Sequence, residues 1–107
     1  MTTFDDRERA FESLYARDQE MQFKVTSRRN RLLGQWAAEK MGLSGEAADA
    51  YAKAVIRADF EEAGDDDVVR KLLADLSAAK VDVDEAEIRR QLDHKTIDAR
   101  RHFVEQH

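Results

Sequence analysis

Cysteine and proline are both absent from the 107 residues, and glycine occurs only four times. The lack of cysteine excludes disulfides, thiolate metal sites, iron–sulfur clusters and cysteine nucleophiles. The lack of proline, with glycine only at Gly34, Gly42, Gly45 and Gly64, leaves few breaks, which favours long helices over strands and turns. Long apolar runs are missing too. No window approaches the roughly 20 apolar residues of a membrane span, and Met1-Thr2-Thr3-Phe4-Asp5-Asp6 carries no stretch of signal-peptide type. These absences point to a cytoplasmic protein with no direct membrane insertion. A net positive charge is also lacking, with 18 basic side chains against 23 acidic ones. The net charge of −5 argues against nucleic acid, because phosphate binding needs concentrated positive charge.

What is present fits one domain. A chain of 107 residues is too short for two separate cores, and 42% apolar residues suffice for one modest core. The expected fold class is all-α, a four-helix bundle with a long first helix and a mobile N-terminal segment. Residues 1–18 are the expected mobile segment, helical on binding, and residues 19–107 the bundle.

Apolar spacing supplies the elements. Phe4, Phe11 and Tyr15 form a thin stripe, which thickens through Met21, Val25, Leu32, Leu33, Trp36 and Met41. Gly42 reads as the residue just past the helix end, with Leu43 as its apolar contact. Gly34 lies inside this helix and costs roughly 1 kcal/mol against alanine; a neighbouring helix packed close against it is the simplest reason to keep it. Ser44 is the expected N-cap of a second helix carrying Ala48, Tyr51, Ala52, Val55, Ile56 and Phe60. Gly64 ends that helix, and Asp65 or Asp66 caps a third with Val68, Val69, Leu72, Leu73 and Leu76. After the short connection Lys80-Val81-Asp82-Val83, either Asp84 with Glu87 or Asp82 with Glu85 makes a capping box for the fourth. Ile88, Leu92, Ala99 and Phe103 share one face there, while Ile97 and Val104 lie on the other side, so the last turns are expected to be loosely docked or to contact something else. Short connections make successive helices antiparallel neighbours.

Charge is unevenly spread. Residues 1–20 hold six acidic and three basic side chains, whereas residues 21–31 hold Lys24, Arg28, Arg29 and Arg31 and no acid. Lys24, Arg28 and Arg31 share one helical face. That face is solvated, paired with acids of later helices, or a patch for a partner's acids or a phosphate; nucleic acid is disfavoured because no aromatics interleave. His94, Asp98 and His102 stand at i, i+4, i+8. Two histidines eight residues apart are about 12 Å apart along the axis, too far to share one metal. The run Glu61, Glu62, Asp65, Asp66, Asp67 lacks the glycine turn and closing glutamate of a calcium loop. Phosphate-binding glycine loops, His-Glu-x-x-His and Gly-x-Ser-x-Gly are all missing. Carboxylates on helix surfaces stay in water, the wrong setting for a general acid. No enzyme, cofactor or metal is expected.

The N-terminal aromatics are harder to assign to a core. An isolated helix of about 15 residues is marginal in water, so this segment is expected to be frayed when free. A frayed segment with aromatics at helical spacing suits helix-in-groove recognition; the alternative is that it folds back and packs on the bundle.

The text of the chain is more specific. Phe4-Asp5-Asp6-Arg7-Glu8-x-Ala10-Phe11-Glu12, Phe23-Lys24, Arg28-Arg29-Asn30-x-Leu32-Leu33-Gly34 and Trp36-Ala37-Ala38 resemble the zeta-subunit family of alphaproteobacterial F-type ATP synthases. So do Tyr51-Ala52-Lys53 and Ala58-Asp59-Phe60-Glu61-Glu62-Ala63-Gly64, the likeness running from residue 4 to about residue 76. The resemblance implies an intrinsic ATPase inhibitor. Its N-terminal helix would enter a catalytic interface between an alpha and a beta subunit of the head, near the gamma stalk. Phe4, Phe11, Leu14 and Tyr15 would be the apolar contacts, and Arg7, Arg9 and Arg17 would pair with acids of the partner. The protein would be monomeric when free and peripheral to the inner face of the cell membrane through the synthase. Two other readings stay open at this point: a nucleic-acid or phosphate-binding module using the basic face, and a scaffold that dimerises through the aromatic stripe.

Overall fold

Four segments combine helix-forming composition with apolar residues at spacings of three and four, and each forms a helix in the computed structural model. The structure describes residues 19–59 and 64–106, with side chains described as far as Val104. The helices are α1 (Gln19–Lys40), α2 (Gly45–Ala58), α3 (Asp66–Ala78) and α4 (Glu85–Gln106), and no strand occurs among the described residues. The expected four-helix, all-α architecture is correct. The part of the first helix expected over residues 4–18 lies outside the described residues.

The ends of the helices follow local chemistry. At the end of α1 the Leu43 amide donates to the Ala38 carbonyl at 2.8 Å and the Gly42 amide to that of Glu39 at 3.1 Å. Gly42 holds φ +78°, so this is the Schellman stop expected from Gly42-Leu43. Ser44 occupies the N-cap of α2 in extended conformation. Asp84 caps α4, its Oδ1 accepting the Glu87 amide at 2.8 Å, which selects Asp84 with Glu87 over the earlier pair. The Glu87 carboxylate turns to Arg90 and Gln91 instead of completing the box.

α1 packs against both α2 and α4, and α3 touches all three. The main apolar cluster is Leu33, Ala37, Val55, Val68, Val69, Leu72, Leu76, Ile88 and Leu92, with Trp36 and Tyr51 packed on its edge. α1 and α2 approach most closely at Gly34. A Cβ placed there would stand 2.7 Å from the Ala52 Cα and 3.3 Å from Val55 Cγ2. No alanine fits without moving the α2 backbone, which is the close approach expected at this glycine.

A second, smaller cluster joins α1 to the far end of α4: Val25, Ala99 and Val104, with Met21 and Phe103 against them. It corrects one expectation. Val104 is 2% exposed, not turned outward with Ile97, which is 46% exposed. A core-facing helix stripe is at least about 100° wide, and the buried face of α4 broadens at this end to take in Val104.

Candidate partner-binding surface

The seven residues expected to touch a partner, Phe4, Arg7, Arg9, Phe11, Leu14, Tyr15 and Arg17, all lie outside the described residues. The described chain shows what they are attached to. Residues upstream of Gln19 join the bundle at the start of α1, beside the small cluster and the last turns of α4.

The basic stretch of α1 divides in two. Arg29 is 7% exposed and turned inward. Its Nη2 lies 2.9 Å from Asp65 Oδ1 and 3.8 Å from Asp59 Oδ1. Its Nε and Nη2 also donate to Asn30 Oδ1 at 3.1 and 2.9 Å. One buried guanidinium thus ties the end of α2 and the start of α3 to α1. Buried positions recur at Val25, Arg29 and Leu33, spaced i, i+4, i+8. That spacing was the available signal that Arg29 belongs to the interior and not to the outer basic face.

Asp59 feels this setting. Burial pushes its carboxyl above the ordinary carboxylate range. A hydrogen bond from Asn30 and the Arg29 charge pull it back, and Asp67 and Asp65 add to the rise.

The outer members are different. Lys24 meets Glu20 at 3.5 Å with both side chains more than half exposed. Arg31 reaches Asp49 of α2 at 3.8 Å, again near solvent. Exposed pairs of this kind contribute little, about 0–1 kcal/mol. Arg28 is half-buried, and its Nε is buried with no hydrogen-bond partner among the described residues.

On α4, His94 and Asp98 are exposed, and His102 stands edge-on to the Phe103 ring with centroids 5.0 Å apart. Among the described residues no group of three His, Cys, Asp or Glu side chains is placed to hold a metal ion. Between α2 and α3, Tyr51 donates to Asp75 Oδ2 at 2.7 Å and Lys71 reaches the same oxygen at 3.0 Å. Burial first, and then the bond to Asp75 and its charge, push the Tyr51 hydroxyl far above its ordinary value. This trio locks a helix pair.

The sequence model of a family described as ATPase inhibitor subunit zeta matches residues 1–102. The chain belongs to that family. The zeta family is one of inhibitory subunits, so this chain carries the role of an ATP synthase inhibitor, regulatory in kind. A protein solved by solution NMR shares the fold, with a TM-score of 0.72 and 45% identity. That alignment covers 81% of this chain and 99% of the other. Comparison with curated protein sequences finds no significant match. No helix among the described residues is long and apolar enough to cross a membrane.

Proposed function

We propose that this zeta subunit blocks ATP hydrolysis by inserting residues 1–18, as a helix, into a catalytic alpha/beta interface of the synthase head near the gamma stalk. One observation carries the reading. The match to a family of ATPase inhibitor subunits begins at residue 1, so residues 1–18 belong to what that inhibitory family shares. Phe4, Phe11 and Tyr15 recur in that segment at helical spacing, the pattern a groove reads in a bound helix.

A helix of about 20 residues is about 30 Å long, enough to reach from the surface of the head toward its axis. Phe4, Phe11, Leu14 and Tyr15 fill apolar pockets, and Arg7, Arg9 and Arg17 meet acids of the partner. Ordering such a segment costs about 2–5 kcal/mol, which the aromatic anchors must exceed. Inhibition is steric: a rotary catalytic interface that cannot close and reopen cannot turn over. The bundle holds the wedge in place outside the cleft, at the inner face of the membrane where the synthase sits.

Deleting residues 1–18 tests this. Circular dichroism of the truncated chain should retain the helical signal, and inhibition of ATPase activity should vanish. Inhibition surviving the deletion would refute the proposal.

A further inference from the structure

We draw no further inference here: the strongest candidate, the open groove between α2 and α3 lined by Ala54, Arg57, Ala58, Asp67 and Lys71, carries none, because Lys71 is already held by Asp75 and the Tyr51 ring and nothing in the structure shows what fills it.

Discussion

Lys80 holds φ +62° at the end of α3, a left-handed conformation in a residue with a side chain. Its amide donates to the Ser77 carbonyl at 3.0 Å and that of Val81 to Leu76 at 2.9 Å. This is the same stop that Gly42 makes after α1, built without glycine. A β-carbon in that region costs roughly 1–2 kcal/mol, partly offset because glycine loses more freedom on folding. Lys80→Gly should therefore raise stability by about 0.5–1 kcal/mol in urea melts. The adjacent Ala79, with φ −83°, is the control, and Ala79→Gly should lower stability. Asp59 gives a prediction of a different kind. Its carboxyl is raised in the folded chain, chiefly by burial, so the folded state binds that proton more tightly than the unfolded state. The stability it contributes is fully present below the unfolded value and is lost as pH rises through the folded one. Asp59→Asn, neutral throughout, should match the wild type in acid and equal or exceed it at neutral pH. A variant clearly weaker at neutral pH would mean that the Arg29 contact at 3.8 Å outweighs burial. Neither residue announces itself in the sequence. Lysine is no marker of positive φ, and the burial of Asp59 depends on where Arg29 points, which spacing shows only once the inner face of α1 is known.

At the scale of whole elements the sequence was far more legible, because capping and spacing act over a few residues. Gly42 with Leu43 and Asp84 with Glu87 mark helix ends through local hydrogen bonds that no distant contact overrides, and Ser44 takes the N-cap position of α2 with no side-chain cap bond. The stripes of α3 and of α2 as far as Ile56 read correctly because each has one dominant face, although α2 ends at Ala58, ahead of the stop expected at Gly64. Val104 did not, because a helical wheel supplies the angle of a side chain and not the width of the surface that covers it. Gly34 is the position where sequence and packing meet most directly. In an exposed helix glycine to alanine gains roughly 1 kcal/mol. Here the added carbon would fall 2.7 Å from a backbone atom of α2. Overpacking costs about 1–3 kcal/mol, so Gly34→Ala should lower stability on balance, by about 1–2 kcal/mol. Ala52→Gly should not rescue it, since the nearest clash is with the Ala52 Cα and not its side chain. A stabilised Gly34→Ala protein would show that α1 and α2 can separate at little cost.

For the molecule as a whole, the decisive feature is that the apolar interior of the described residues comes in two unequal parts. Among the described residues the larger cluster draws on all four helices, while the smaller one joins α1 to α4. The smaller one sits at the start of α1, the point to which residues 1–18, the proposed wedge, are joined. Sub-global openings follow the local density of buried contacts, so this end should open without the rest. Val104→Ala isolates it. Removing two buried methyl groups costs roughly 2 kcal/mol. Local opening would carry that loss, which corresponds to about 30-fold faster hydrogen exchange for amides near residues 19–27 and 98–106. Protection around Leu33, Leu72 and Ile88 should stay unchanged. Uniform loss of protection across both clusters would show instead that the bundle opens only as a unit. The consequence for inhibition follows from geometry. A wedge transmits resistance only as well as its base is fixed, so a loosened root should weaken the hold of residues 1–18 even with every one of their side chains intact. Val104→Ala is thus expected to raise the concentration needed for half inhibition by several-fold at unchanged maximal inhibition, measured as ATPase activity against added subunit.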